Sequence, residues 1–162
     1  VTPAVARPAP DFVTRNQHGE QVGLKDLRGR RAVIVFYPWA FSSICRGELA
    51  ALRDDHEKLR DLEVRVVAVS CDAMFTLRAY ADAEHIGFDL LSDHWPHGRI
   101  AKAYGVFDDQ AGCALRGTFV LDAAGRISWQ QVNGIGESRD FGGLLSLLST
   151  SIEAEPAPRL AR

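Results

Sequence analysis

Six consecutive apolar residues, Ala32 to Tyr37, lie between the pair Arg30–Arg31 and Pro38. The run has no alternation of period two, so it predicts a strand covered on both faces, at the centre of a sheet with layers on either side. Pro38 ends it, because proline brings no N–H to a strand ladder. A second run, Val64 to Val69, has the same character. Between the two, Cys45, Leu49, Leu52, His56 and Leu59 recur at steps of four, three, four and three, the spacing of one helix face. Strand, helix and strand of these lengths predict a right-handed βαβ unit with a parallel pair.

The rest of the chain flanks that unit. Before it, Phe12–Thr14 and Val22–Leu24 flank a turn at Asn16–Gly19 and predict a small hairpin. After it, residues 73–86 predict a helix with Met74, Leu77, Ala81 and His85 inward, ended by Gly87. Phe88–Leu91 reads as a short strand, and Pro96 as the first turn of a short helix through Tyr104. Thr118–Leu121 and Ile127–Gln130 flank Asp122–Arg126 as a second hairpin, and Leu144, Leu145, Leu147 and Leu148 mark a closing helix. Residues 1–9 read as an irregular arm and 153–162 as a loose tail. A βαβ half followed by a hairpin and a helix gives an α/β fold, a mixed central sheet with helices on both faces. That is a thioredoxin-like layout, with 1–162 expected to form one domain.

Composition narrows the partners. A net charge of −2 over 162 residues offers no basic surface for nucleic acid or an anionic membrane. The longest apolar runs are strand-sized, too short to span a bilayer. Three cysteines, at 45, 71 and 113, fit neither a disulfide scaffold nor metal-ligand spacing. They suit a reducing compartment, so a cytoplasmic location is expected.

The candidate chemistry sits where the first strand meets the first helix. Cys45 falls in the opening turn of that helix, where unpaired N–H groups and the positive dipole end favour a thiolate. Ser42, three residues earlier, suits the N-cap, and Cys45 takes the place where a capping box carries Glu or Gln. If the Thr118 strand runs antiparallel to the Ala32 strand, its start is level with the end of the earlier one. Arg116 would then stand beside Cys45 with a permanent charge and several donors. Pro38, rigid and without an N–H, would shield the sulfur from water. Cys71 ends a strand and reads as core packing. Cys113, three residues before Arg116, is the internal candidate for a second, resolving thiol. His94 and His97 lack the cysteines or carboxylates of a metal site and read as part of a turn. Trp39 and Phe41 suggest a lined entrance or a contact with a second copy.

Pro38, Ser42 and Cys45 fit the P-x-x-x-[TS]-x-x-C motif of peroxiredoxins, and Arg116-Gly117-Thr118-Phe119 resembles that family's distal arginine segment. Pro10–Phe12, Asp93–Gly98 and Ala103–Phe107 extend the match over about residues 10–150. The chain is most similar to the one-cysteine alkyl hydroperoxide reductase E (AhpE) branch. The resemblance implies a thiol-dependent peroxidase acting on hydrogen peroxide, organic hydroperoxides or peroxynitrite through a Cys45 sulfenic acid. It also implies that Ser42 and Arg116 orient the peroxide and that Glu48 supports the local polar network. No metal or organic cofactor is implied. The reductant would be an external thiol or a glutaredoxin- or thioredoxin-like protein, and the assembly a homodimer using residues near Phe41 and Trp95. Two departures stand out. Ser42 replaces the family's more usual threonine, and Ala50 occupies the position where some relatives carry a resolving cysteine. A peroxide-sensing domain would need the same activated thiol. A thioredoxin-type disulfide oxidoreductase fits less well, since Ser42 stands where its first cysteine belongs and Leu115-Arg116-Gly117 where its proline belongs.

Overall fold

The computed structural model describes residues 6–152; the expected tail at 153–162 and the first five residues of the expected arm lie outside the described residues. The strands are β1 (Arg7–Pro8), β2 (Val13–Arg15), β3 (Gln21–Gly23), β4 (Ala32–Phe36), β5 (Arg65–Ser70) and β6 (Asp89–Ser92), then β7 (Phe107–Asp108), β8 (Cys113–Ala114), β9 (Arg116–Leu121) and β10 (Arg126–Asn133). The α-helices are α1 (Ser43–Asp54), α2 (His56–Asp61), α3 (Met74–Glu84), α4 (Arg99–Ala103) and α5 (Phe141–Ile152).

A six-stranded sheet runs in the order β1-β10-β9-β4-β5-β6. β4, β5 and β6 are parallel, and β9 returns antiparallel to β4. This is the mixed sheet expected from the sequence. Every residue of β4 is buried. Its side chains alternate between two apolar clusters: Val33 and Val35 meet Leu49, Leu59 and Leu148 on one face, while Ile34 and Phe36 meet Leu27 and Phe119 on the other. Both faces are apolar, which is why the run carries no period of two.

The helix expected after Pro38 is two helices. Asp55, at φ −92° and ψ 1°, breaks the helical path between α1 and α2. Cys45, Leu49, Leu52 and Leu59 still share one cluster, so the apolar stripe survives the break. His56 is only half-buried, its ring edge-on to Phe88 at 5.5 Å. α3 ends earlier than expected, because His85 rather than Gly87 takes the left-handed conformation that closes it, at φ 54°. His85 therefore points to solvent, and Tyr80 is buried on that helix instead.

The short helix begins at Arg99, three residues beyond Pro96, since the Asp93 carboxylate accepts from the N–H groups of Ile100 and Ala101, both at 2.9 Å. Arg7 and Pro8, expected in an irregular arm, pair with β10 at the sheet edge. β7 and β8 form a small hairpin that the sequence pattern had not signalled. Among the described residues, no helix is long and apolar enough to cross a membrane.

The β4–β9 register sets up the site. Ala32 pairs with Leu121 and Val35 with Thr118, so the end of β4 at Tyr37 and Pro38 is level with Arg116.

Candidate active site

The chain leaves β4 with one more ladder bond, from Tyr37 N–H to Val69 O at 3.0 Å, and then turns at Pro38. The turn is tied to the end of β5: Ala40 N–H and the Ser70 hydroxyl both donate to Asp72 Oδ2, at 2.8 and 2.7 Å. Phe41 adopts φ 67°, an uncommon conformation for an aromatic residue, and its ring packs edge-on to Tyr80 at 5.0 Å.

Ser42 is the N-cap of α1 by position, but its hydroxyl donates back to Trp39 O at 3.0 Å and makes no capping bond. The first intrahelical bond runs from Arg46 N–H to Ser42 O at 2.8 Å. The N–H groups of Ser43, Ile44 and Cys45 are thus left without an intrahelical acceptor, as expected for a helix start.

Cys45 has no exposed surface. The residue faces the sheet and packs in the apolar cluster that contains Tyr37, Leu49 and Tyr80. Arg116 is also buried, at 2% exposure, and its Nη1 donates to Cys45 Sγ at 3.3 Å. The same nitrogen donates to Glu48 Oε1, and Arg116 Nε donates to Ile135 O at 2.6 Å.

Glu48 is held by a second arginine that sequence reasoning missed. Arg139 donates to it from its backbone N–H at 2.7 Å, from Nε at 2.9 Å and from Nη2 at 3.1 Å. Arg139 Nη1 also reaches Gly117 O at 3.0 Å and Thr118 Oγ1 at 3.3 Å. Burial pulls its guanidinium below the ordinary value, opposed by the Glu48 carboxylate. Two buried guanidinium groups face one carboxylate here, leaving one positive charge that a Cys45 thiolate would balance. Arg139 lies between β10 and α5, where no periodic pattern gives its position. The only hint was Glu48 itself, a carboxylate on the apolar side of a helix in need of partners.

A pocket of about 210 Å³ is lined by Pro38, Trp39, Ser42, Arg116, Ile135 and Gly136. Three of the residues singled out from sequence, Pro38, Ser42 and Arg116, thus share one cavity, and Arg116 links it to the sulfur. A wider groove of about 470 Å³, along Val13, Met74, Phe75, His94 and Trp95, touches none of them.

The other cysteines are free and buried. Burial, followed by the charge of Asp93, pushes the Cys71 thiol up to about 12. Cys113, in β8, is raised by burial and by Asp108. His94 Nδ1 lies 3.3 Å from Cys71 O, and His97 Nε2 lies 2.6 Å from Gly112 O, so both rings are engaged with backbone in the turn.

Residues 5–130 match the model of the AhpC/TSA family. Alkyl hydroperoxide reductase E of Mycobacterium tuberculosis is 43% identical over 137 residues, covering 84% of this chain and 90% of that protein. Alkyl hydroperoxide reductase C of Staphylococcus haemolyticus is 34% identical over 136 residues, covering 82% of this chain and 71% of its own. The crystal structure of Enterococcus faecalis AhpC superposes with a TM-score of 0.86 at 27% identity, covering 99% of this chain and 100% of that one.

Proposed function

The chain belongs to the AhpC/TSA family and is a peroxide-reducing enzyme of the peroxiredoxin kind, and on that premise we propose that Cys45 is its peroxidatic nucleophile in a one-cysteine cycle. The observation that carries this reading is the bond from Arg116 Nη1 to Cys45 Sγ at 3.3 Å. A thiolate at Cys45 attacks the terminal oxygen of a hydroperoxide. The S–O bond forms as the O–O bond breaks, the sulfur is oxidised to sulfenic acid, and the leaving oxygen departs as alcohol or water once protonated. Arg116 meets charge on the sulfur and on the oxygen bound beside it. Ser42 presents its hydroxyl in the same pocket, and Pro38 forms a wall that offers water no N–H. Glu48 is a positioning residue that holds Arg116, and Arg139 in turn holds Glu48.

Recovery of the thiol falls to an external thiol, a small molecule or a glutaredoxin- or thioredoxin-like protein. It attacks the sulfenic sulfur, releases water and leaves a mixed disulfide, which a second thiol then cleaves. Ala50, and the burial of Cys71 and Cys113 with their raised thiols, support this over an internal resolving step. The candidate substrates are hydrogen peroxide, organic hydroperoxides and peroxynitrite, and the apolar rim at Trp39 and Ile44 favours peroxides with an organic part. Exposed Phe41, Phe75 and Trp95, at 47%, 73% and 82%, support a homodimer that covers them. Three free cysteines are in keeping with a cytoplasmic, reducing setting. The test is multiple-turnover peroxide consumption with a thiol reductant: Cys45→Ser is expected to abolish it, and undiminished turnover by that variant would refute the reading.

A further inference from the structure

At the ends of β4 and β5 remote from Pro38, a cavity of about 410 Å³ opens between Arg30, Arg60 and Arg65, with His56 beside them and Val66 and Phe88 in its wall. Arg65 is committed to the fold: Nη1 donates to Asp26 O at 2.9 Å and Nη2 to Asp89 Oδ2 at 3.0 Å. Asp89 is the carboxylate of the wall, and its other oxygen accepts from Asn16 Nδ2 at 3.0 Å, so its charge is already met. Arg30 and Arg60 make no ion pair among the described residues. Two guanidinium groups with unspent donors therefore flank a concavity that has a partly apolar wall.

We propose that this cavity binds a small phosphate-bearing molecule, its oxyanion held between Arg30 and Arg60 and against His56. Planar guanidinium groups match the geometry of phosphate oxygens and bind them in bidentate fashion. The apolar wall suits the organic part of such a ligand. A net charge of −2 over the whole chain makes the positive field local to the cavity, which fits a small anion better than a polyanionic surface. The site is separate from the peroxide pocket: β4, about 17 Å long at its five residues, lies between them.

His56 reports on occupancy. Burial and Arg60 hold its imidazole below the ordinary value, with Glu57 opposing. Arg30, Arg65 and the ion-paired Asp89 also line the cavity that it shares. An oxyanion seated there favours the imidazolium, so binding moves the His56 titration upward and strengthens as pH falls.

The experiment is titration of the intact protein with pyrophosphate, followed through the His56 ring signals by NMR. Saturable binding with an upward His56 titration is expected. Arg30→Gln and Arg60→Gln are each expected to weaken it about tenfold, while peroxide turnover is unchanged. Arg78→Gln, at an exposed position on α3, is expected to bind as the parent does. Vesicles containing phosphatidic acid are expected not to bind. Absence of a saturable His56 response would overturn the proposal. So would undiminished binding by the Arg30 and Arg60 variants, an equal loss in Arg78→Gln, or vesicle binding without pyrophosphate binding.

Discussion

Arg116 Nη1 lies 3.3 Å from Cys45 Sγ, although 71 residues separate the two in the chain. The antiparallel register of β4 and β9 brings them together, and Glu48, one turn along α1 from Cys45, accepts from the same guanidinium nitrogen. Replacing Arg116 with Ala removes the donor aimed at the Cys45 sulfur. The second-order rate of oxidation by peroxide, read by stopped-flow fluorescence, is expected to fall by about 10²–10³-fold. Arg116→Lys keeps a charge but not the fork that reaches Cys45, Glu48 and Ile135 at once, and is expected to recover little of that loss.

Glu48 is the shared acceptor for two buried arginines, with its side chain 1% exposed. Glu48→Ala leaves both guanidinium groups without their carboxylate. Urea unfolding is expected to show a loss of about 3–5 kcal/mol. A variant as stable as the parent would mean that the network does not hold the site as described.

Ser42 uses its hydroxyl to bond Trp39 O at 3.0 Å in the pocket wall. Ser42→Thr keeps the hydroxyl and is expected to retain the oxidation rate within about threefold, whereas Ser42→Ala is expected to slow it about five- to tenfold, the worth of one neutral hydrogen bond. Equal rates for the parent and Ser42→Ala would remove the hydroxyl from the mechanism.

The buried thiol of Cys71 gives a pH signature. Its folded value is raised to about 12 against an ordinary value of 9.0. The folded protein keeps a proton that the unfolded chain releases. This contribution to stability is therefore complete below the ordinary value and is lost as pH rises towards the folded one. Urea unfolding at about pH 8 and about pH 10.5 is expected to show stability falling, with a shallower fall in Cys71→Ala. Equal slopes for the two proteins would contradict the assignment.

The sequence revealed some of this site and hid the rest for physical reasons. Arg116 was legible because β-pairing has a strict register: once Thr118 was set against the Ala32 run, its position followed. Cys45 was legible because apolar spacing fixes which helix face is buried, and that spacing tolerates the break at Asp55. Arg139 was not, because it sits on irregular chain between β10 and α5 and acts through hydrogen bonds that no periodicity encodes. The Ser42 hydroxyl was misplaced because a serine at a helix start can bond forward to the helix or back to the turn. Here the strained turn at Phe41 offers Trp39 O instead. The edge strand at Arg7 and Pro8 was hidden by proline, which ordinarily marks irregular chain but is tolerated at a sheet edge.

Peroxide is expected to oxidise Cys45 to a sulfenic acid that no other cysteine of the chain resolves. The most direct test is peptide mapping after one equivalent of hydrogen peroxide in the presence of dimedone, under non-reducing conditions. A dimedone adduct on Cys45 is expected, with Cys71 and Cys113 remaining as thiols. A Cys45–Cys113 disulfide, or an adduct on another cysteine with Cys45 intact, would contradict it.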